Sequence, residues 1–234
     1  IAFDLNQITK KILCRLCESK NLIKIINLCN SPLANNLISN KVASLNVKKY
    51  PLNLMFCNKC KHVQLEHVVS SKKLYNKYLY MTGVSQQFKT HFKDYAKKVL
   101  KLFSKYKKLK VLEIGSNDCT LLNYFKKNKC ITVGVEPAKN LWKITKNNHD
   151  IFNSFYNSEI NNKLLKKYKY FDVIVANNVF AHIDNIKKVF LLLKDLMHEK
   201  SLIVFEVSYL LDVINKKLFD TIYHEHLDYH SVIP

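Results

Sequence analysis

The sequence predicts an α/β protein with a doubly wound parallel sheet, preceded by a small cysteine-rich module. From Lys110 onwards, short apolar segments typical of buried strands alternate with segments that have helical spacing. This alternation implies right-handed crossovers and a parallel sheet. Before Lys110, two Cys-x-x-Cys pairs stand in a stretch without any apolar run long enough for a large core. The two parts of the chain therefore predict two different kinds of domain.

The predicted elements follow one another without an internal repeat or a low-complexity linker. Residues 1–68 have short apolar runs and a turn at Ser31-Pro32, and a helical stripe that includes Phe88, Phe92 and Val99 follows. The further predictions, in chain order, are a short helix at 72–80, a helix at 86–106, a strand at 111–114, a helix from about 119, a strand at 131–136, a helix from about 138, a strand at 172–177, a helix at 186–197, a strand at 202–207 and a short apolar segment at 210–214.

Length and composition suit one good core plus a smaller module, with 234 residues of which 48% are hydrophobic. The chain has no run of about 18 apolar residues and no secretory signal, so we expect a cytoplasmic protein without a membrane partner. Seven cysteines without such a signal agree with a reducing compartment. The chain begins without Met and ends at Pro234 without an obvious structural stop, and we expect it to be part of a longer protein.

The formal charge of +20 suggests polyanion binding, but the residues that carry it argue against nucleic acid. Of 38 basic residues only Arg15 is an arginine, whereas bidentate recognition of bases and phosphates favours Arg. A sequence rich in Lys, Asn and Ile and poor in Gly and Arg is also typical of AT-rich coding. A coding bias and a selected anion-binding surface both remain open, and a nucleic-acid partner is the less favoured.

Two cysteine knuckles predict a metal site. Cys14-Arg-Leu-Cys17 and Cys57-Asn-Lys-Cys60 are separated by 39 residues. Each knuckle lets two thiolates bind one tetrahedral ion, so the four cysteines predict a closed, structural Zn²⁺ site without a catalytic role. The alternatives are a redox pair and four unrelated buried cysteines.

The other three cysteines, Cys29, Cys119 and Cys130, fit no pair, and we predict that they are small core residues. With the zinc site assigned, the chain divides into a zinc-binding domain at 1–69, a helical connector at 70–108 and the α/β domain at 109–234.

The stretch VLEIGSNDCTLL at 111–122 is typical of a strand that ends in Glu-x-Gly and turns into a helix. Ligands of a doubly wound sheet bind at the carboxyl ends of its strands. There Gly115 lets the backbone approach a ligand closely, and Glu136 can accept hydrogen bonds from a ribose diol. A nicotinamide dinucleotide would need Gly-x-Gly-x-x-Gly, but Gly115 stands alone. The pattern favours a cofactor without phosphate, S-adenosylmethionine, and an ordinary strand–turn–helix is the alternative.

Two further polar features stand in the second half of the chain. His182 closely follows the strand at 172–177, so it is either a site residue or a structural histidine. The stretch TIYHEHLDYH at 221–230 could form a metal cage, a proton-transfer site or a solvent-exposed loop. Its His-Glu-His lacks the helical spacing of the His-Glu-x-x-His zinc motif, which disfavours the metal cage.

The residues together resemble one family. The resemblance rests on the ordered motifs CRLC, SPLANN, YPLNLMFCNKCKHVQL, YLYMTGVS, VLEIGSND, GVEPAKN, ANNVFAHI, FEV and FDTIYHEH, which run from about Cys14 to His230. They resemble class I S-adenosylmethionine-dependent sugar C-methyltransferases that act at C-3′ of nucleotide-linked 4-keto-deoxyhexoses. The resemblance implies a doubly wound class I methyltransferase (Rossmann-like) sheet preceded by a small zinc-binding domain. It also implies a C-terminal substrate domain, which we expect to be absent from this sequence, and it implies a Gly at the position of Cys119.

The resemblance further implies five catalytic residues, namely Tyr80, His182, Tyr223, Glu225 and His226. The reaction needs a base for the hydrogen next to the ketone, stabilisation of the enolate oxygen and attack on the sulfonium methyl. His226 is the preferred base because an imidazole titrates near working pH. Glu225 would orient a partner or the sugar, and the other three would polarise the keto oxygen or relay protons. The expected cofactor-binding residues are Glu113, Gly115, Asn117, Asp118, Glu136 and Asn178.

Three functions remain open at this point. The first is S-adenosylmethionine-dependent C-methylation of a nucleotide-linked 4-keto-deoxysugar, the second an RNA methyltransferase with a zinc knuckle, and the third an inactive truncated methyltransferase. The cluster at 221–230 favours the first, because the other two have no evident need for it. We expect a nucleotide-sugar substrate and a monomeric protein.

Overall fold

The computed structural model describes residues 8–75, 80–105 and 108–233. Its contacts divide the chain into two compact units. The cysteine unit comprises Ile1–Leu74, Phe180–Ile186 and Val207–Pro234, and the sheet unit comprises Tyr75–Val179 and Lys187–Glu206. Part of the first predicted helix, residues 76–79, and the predicted end of the second, Tyr106, lie outside the described residues.

The described residues form strands and helices with the following bounds. The strands are β1 (Ile8–Lys10), β2 (Leu22–Ser31), β3 (Tyr50–Cys57), β4 (Val63–Leu65), β5 (His67–Val69), β6 (Lys110–Ile114), β7 (Ile131–Val135), β8 (Asp150–Phe152), β9 (Val173–Asn177), β10 (Leu202–Glu206) and β11 (Asp228–Tyr229). The helices are α1 (Lys41–Leu45), α2 (Ser71–Tyr75), α3 (Gln86–Leu102), α4 (Thr120–Lys127), α5 (Lys139–Thr145), α6 (Ser158–Tyr168), α7 (Ile186–Asp195) and α8 (Leu210–Asn215). Short 3-10 turns lie at Thr82–Val84, Phe180–His182 and Phe219–Thr221.

The sheet unit contains a parallel sheet in the order β10-β9-β6-β7-β8. The chain order reverses between β6 and β9, which makes that boundary the switch point of a doubly wound sheet. In such sheets the ligand crevice lies outside the carboxyl ends of the strands at the switch point. The predicted fold class is therefore confirmed.

The predicted strands of this sheet lie within one or two residues of β6, β7, β9 and β10. The sequence analysis missed β8 and α6. β8 has only three residues at the edge of the sheet, which is too short for a period-two pattern to show. α6 is rich in Lys and Asn, and it begins where the side chain of Asn157 accepts a hydrogen bond from the amide of Ile160 at 3.0 Å.

Helix α3 shows why the sheet unit has a continuous core. Its buried residues are Phe92, Tyr95, Ala96 and Val99, which share one face of a 3.6-residue period. They belong to the same apolar cluster as Val111 of β6 and Val173 of β9. The amphipathic stripe predicted for this segment is thus the face that packs towards the sheet.

The cysteine unit is built on antiparallel strands, in the order β11-β4-β3-β2, with a separate β1-β5 pair. One of its apolar clusters combines residues of β3 and β4 with Ile222, Leu227 and Tyr229 from the C-terminal segment. The division at residues 69 and 108 stays a prediction about domains. In the contacts of the structure, residues 207–234 pack within the cysteine unit.

The sequence analysis did not predict the strands of the cysteine unit. In β2 the register shifts between Lys24 and Ile26 and again between Asn27 and Asn30. Such irregularities interrupt the alternation of apolar and polar residues that identifies a strand. Among the helices of the described residues, none is long and apolar enough to cross a membrane.

Candidate active site and metal centre

The four knuckle cysteines converge on one point. The Sγ atoms of Cys14 and Cys60 lie 3.5 Å apart, as do those of Cys17 and Cys57, and all four lie within 4.8 Å of one another. Two sulfurs bound to a tetrahedral zinc at about 2.3 Å would stand about 3.8 Å apart. The arrangement and the all-sulfur donor set fit a closed Zn²⁺ site.

The alternatives to a shared metal site do not fit the positions of the cysteines. A disulfide would need sulfurs about 2.05 Å apart, and four unrelated cysteines would not converge. The prediction that the other cysteines are core residues is confirmed for Cys119 and Cys130, which are buried. It is wrong for Cys29, which is exposed. Cys29 lies with φ 61° beside the irregular register of β2, where the chain departs from regular pairing.

The loop after β6 depends on Gly115. Its φ of +68° is in the left-handed region, which costs residues with a side chain about 1–2 kcal/mol. A Cβ at this position would also lie 2.6 Å from Cγ2 of Val179, the second residue beyond β9. Gly115 therefore allows the backbone of the first loop to approach the neighbouring strand end at the switch point.

Glu136, directly after β7, holds this loop from the adjacent strand. One carboxylate oxygen accepts the amide of Asn117 at 2.8 Å, and the other accepts the amide of Ala138 at 2.8 Å. Burial raises the pKa of Glu136, and the two amides act in the opposite direction. The structure thus brings Gly115, Asn117 and Glu136 together at the carboxyl ends of β6 and β7.

The side chains of Asn117 and Asp118 bind the segment before α3. The amide of Thr82 donates to Oδ1 of Asn117 at 3.2 Å, and the amide of Gly83 donates to Oδ2 of Asp118 at 2.6 Å. Asn117 also donates through Nδ2 to the carbonyl of Tyr80 at 3.1 Å. The predicted cofactor loop and the segment that carries Tyr80 are therefore joined.

The remaining residues of the predicted cofactor set occupy different environments. Asn178 is exposed after β9 with φ 54°, and its amide donates to the carbonyl of Glu206 at 2.7 Å. Glu113 is buried inside β6, where desolvation, and then Asp118 and Glu136, raise its pKa well above the usual value.

The segment at 221–230 forms a hydrogen-bonded cluster in the cysteine unit. Nδ1 of His226 lies 2.9 Å from the carbonyl oxygen of Thr221, and Nε2 lies 3.0 Å from the hydroxyl of Tyr223. A carbonyl can only accept, so Nδ1 carries the hydrogen and, in the neutral ring, Nε2 carries the lone pair. The hydroxyl of Tyr223 then donates to Nε2.

The protonation of this pair follows from its burial. Desolvation lowers the pKa of His226, against the effect of the Thr221 carbonyl. Burial, and then the carboxylate of Glu225, raises the pKa of Tyr223 to about 12. At neutral pH the proton therefore stays on the phenol and the imidazole stays uncharged.

Two further predicted site residues lie beside His226. The ring of His182 is centred 5.0 Å from that of His226. Glu225 is buried, burial raises its pKa, and its Oε1 accepts a hydrogen bond from Nδ2 of Asn35 at 2.6 Å. Four of the five predicted catalytic residues thus lie in the cysteine unit, and Tyr80 belongs to the sheet unit.

The solvent-exposed loop considered for residues 221–230 is excluded, because His224, Glu225 and Asp228 are buried. Within the parts of the chain that the structure describes, the four cysteines are the one group of potential ligands close enough to share a metal. The sequence analysis missed Asn35, although it belongs to the SPLANN motif. An asparagine in a turn-rich stretch carries no signal that it will reach a residue 190 positions away.

The fold and these two sites define a class I methyltransferase fold with a four-cysteine metal centre. Residues 14–75 match the sequence profile described as "Putative zinc binding domain", and residues 88–232 match the profile described as "Methyltransferase domain". The second match covers more than half of the chain, which belongs to this methyltransferase family. The class I methyltransferase fold binds S-adenosylmethionine, and the four-cysteine centre fits a structural zinc ion. Both cofactor predictions are therefore confirmed.

Individual proteins of known name or structure resemble the chain over part of its length. The chain is 25% identical over 220 residues to the C-methyltransferase NovU of Streptomyces niveus, an alignment that covers 94% of this chain and 52% of that protein. The chain thus spans about half the length of this curated relative. A protein of Pyrococcus horikoshii OT3, PH0226, has 14% identity and a TM-score of 0.46, with 59% of this chain and 62% of that chain covered. A methyltransferase from Clostridium acetobutylicum ATCC 824 has 14% identity and a TM-score of 0.43, with 52% of each chain covered. The fold assignment rests on strand order and the family profile rather than on these two structures.

Proposed function

We propose that the protein is an S-adenosylmethionine-dependent C-methyltransferase that acts on a nucleotide-linked 4-keto-deoxysugar. The methyltransferase family implies methyl transfer. What we propose in addition is that the methyl group is transferred to a carbon atom of a nucleotide-linked keto sugar. The observation that carries the proposal is the hydrogen bonding of His226, whose Nδ1 faces the carbonyl of Thr221 and whose Nε2 faces the hydroxyl of Tyr223. Methylation of carbon needs a base, because a carbon next to a ketone is a nucleophile only after it has lost a proton.

His226 is suited to remove that proton. Its Nδ1–H is held by the carbonyl of Thr221, which fixes the ring and leaves Nε2 as the basic atom. Nε2 takes the substrate proton either directly, after the hydroxyl of Tyr223 turns away, or through Tyr223. In the second route the phenol passes its own proton to Nε2 and takes the substrate proton in its place.

The bonds that form and break are balanced. The electron pair of the broken C–H bond moves into the enolate and then forms the new C–C bond to the methyl carbon. S-Adenosylmethionine supplies that methyl group as an electrophile when bound, and the C–S bond breaks to leave S-adenosylhomocysteine. In either route one proton is gained by Nε2 of His226, the substrate's own in the direct route and that of Tyr223 in the relay, and solvent removes it.

Glu225 is the group we propose to act on the enolate oxygen, and His182 would assist from beside His226. Burial raises the pKa of Glu225, and in its protonated form this side chain can donate a hydrogen bond. Its Oε2 is buried and has no hydrogen-bond partner among the described residues. A donor of this kind stabilises the charge that develops on a keto oxygen. Asn35 fixes the other carboxyl oxygen and so orients the group.

The relative and the charge support the substrate class. The relative NovU is named as a C-methyltransferase, and the sequence motifs resemble enzymes that act on nucleotide-linked keto sugars. The formal charge of +20 draws an anionic nucleotide towards the protein at low ionic strength.

The test is methyl transfer to a panel of nucleotide-linked 4-keto-deoxysugars by the full-length protein, with S-adenosylmethionine labelled with ¹³C in the methyl group. We expect the label on a ring carbon, seen by NMR as a C–CH₃ signal. The matched controls are the same sugars reduced at the keto group, which should stay unmethylated. Label on oxygen, on nitrogen or in added RNA would contradict the proposal.

A further inference from the structure

His182 and His226 are each followed, two residues later, by an aspartate. Both aspartates contact the side chain of Arg15. Arg15 donates through Nη1 to the backbone carbonyl and to Oδ1 of Asp184, at 3.0 and 2.9 Å. Its Nε lies 3.6 Å from Oδ1 of Asp228. Asp184 follows His182, and Asp228 follows His226. Arg15 is the chain's single arginine, and it lies inside the first Cys-x-x-Cys knuckle.

The second knuckle reaches the same carboxylate. His62, two residues after Cys60, lies with Nε2 at 2.8 Å from Oδ1 of Asp228, and neither side chain is exposed. The side chain of Arg15 is only 3% exposed. Charged groups buried to this degree are costly unless they are paired, and removal of one partner leaves the other uncompensated. The contacts of Arg15 and Asp228 are therefore obligatory parts of this unit.

Backbone contacts join the same segments. Gln64 of β4 is the register partner of Asp228 in β11. Its side chain accepts the amide of Arg15 at 2.8 Å and donates to the carbonyl of Leu13 at 3.1 Å, so it holds the backbone on both sides of Cys14. The segment of His226 and that of His182 also meet, because the amide of Leu227 donates to the carbonyl of Ala181 at 2.7 Å.

We propose that Arg15 is a positioning residue that sets the placement of His182 relative to His226, and that the zinc centre, by fixing Arg15, belongs to the scaffold of the active site. A lysine cannot replace it, since an ammonium group lacks the planar guanidinium that hydrogen-bonds Asp184 through Nη1 while its Nε forms an ion pair with Asp228 at 3.6 Å. We call the contacts of Arg15 with Asp184 and Asp228 the clamp. The clamp itself is argued only from these distances, whereas its effect on catalysis rests on the proposed function.

The zinc-loaded, full-length protein offers a matched set of variants. Arg15→Lys keeps the charge and loses the planar guanidinium, and Asp184→Asn weakens only the half-exposed end of the clamp. Lys11→Met is the control, because Nζ of Lys11 binds the same Asp184 carboxylate at 2.8 and 2.9 Å from the surface. The three readouts are zinc content, amide hydrogen exchange at 180–186 and 226–229, and the NMR titration of the His226 ring.

We expect zinc to remain in all three variants. Exchange at 226–229 should rise at least tenfold in Arg15→Lys and less in Asp184→Asn, and it should stay unchanged in Lys11→Met. As the cluster opens to water, the pKa of His226 should move up towards the ordinary histidine value in Arg15→Lys alone. Turnover should fall about tenfold or more while S-adenosylmethionine affinity is kept.

Two outcomes separate the clamp from the proposed function. If exchange and titration change as expected but the parent protein methylates no keto sugar, the proposed function fails and the clamp stands. If the parent protein is active and Arg15→Lys leaves exchange and the His226 titration unchanged, the clamp is overturned. If Arg15→Lys does not fold, the Asp184→Asn variant tests the clamp instead. Amide hydrogen exchange at 180–186 that is unchanged in Asp184→Asn would then overturn the proposal.

Discussion

The imidazole rings of His182 and His226 are centred 5.0 Å apart, with 66° between their planes. The two residues lie on either side of β10 in the sequence, and the antiparallel sheet of the cysteine unit holds the second of them through β11. The pair stands next to a phenol and a buried carboxyl group whose pKa values are both raised by burial. Several titratable groups with shifted pKa values in one place are typical of a site of proton transfer.

Gly115 gives a test of the cofactor loop. Gly115→Ala should lower the free energy of unfolding of the sheet unit for two reasons. The left-handed backbone conformation should cost about 1–2 kcal/mol, and the close contact of the new Cβ with Val179 should cost about 1–3 kcal/mol through overpacking. In a Val179→Ala background the steric part should disappear and the backbone part should remain. Denaturant unfolding of the four proteins of this cycle measures both. A Gly115→Ala variant as stable as the parent protein would contradict the assigned conformation.

Glu136 should matter for the cofactor. Its carboxylate holds the amides of Asn117 and Ala138, and we predict further hydrogen bonds to a ribose diol. Glu136→Ala should weaken S-adenosylmethionine binding by about 1.5–3 kcal/mol, the usual value for hydrogen bonds to a charged group, as measured by calorimetry. Glu159→Ala is the control, because Glu159 lies exposed on α6 in an ion pair with Lys163. Equal affinities of the two variants would place the cofactor elsewhere.

Loss of zinc should loosen one unit and spare the other. Cys57→Ser removes one of four ligands, so zinc should be lost and hydrogen exchange should rise in β2, β3, β4 and β11. The strands β6, β7, β9 and β10 should keep their protection. Cys29→Ser, at an exposed cysteine outside the metal centre, should change neither zinc content nor exchange. Full zinc retention by Cys57→Ser in elemental analysis would remove the proposed ligand set.

The pH dependence of kcat/KM should report the state of His226. The base must be neutral, and burial lowers the pKa of His226 below the ordinary histidine value of about 6.5, so activity should be kept as the pH falls to about 6.5 and should decline only below it. The pKa of Tyr223 is raised to about 12, so ionisation of this phenol should cause no loss up to about pH 10. An acidic limb centred above pH 6.5 would show that another group is the base.

Prediction from the sequence succeeded where the signal is local. The strands β6, β7, β9 and β10 are runs of apolar residues followed by helical spacing. The four cysteines of the metal centre are recognised from two Cys-x-x-Cys pairs. The φ of 61° at Cys119 likewise agrees with the glycine that the resemblance implies for this position, since glycine adopts that conformation without strain.

What could not be predicted depends on contacts between distant parts of the chain. No local pattern shows that Asp228 pairs with Gln64 across 164 residues, or that Asn35 binds Glu225. Cys29 was assigned to the core from its residue type, but the irregular pairing of β2 leaves it exposed. The attachment of the 221–230 cluster to the cysteine unit is thus a property of tertiary packing that sequence periodicity does not encode.

The most direct measurement is the exchange of the substrate's α-hydrogen with deuterated water, catalysed by the full-length protein and by His226→Asn. Asparagine keeps the polarity and removes the base, so we predict that exchange and methyl transfer both fall by about 10²–10⁴-fold, the usual contribution of a general base. S-Adenosylmethionine should bind the variant as well as it binds the parent protein. Exchange at the parent rate in His226→Asn would contradict the account and would assign the base to another residue of the cluster.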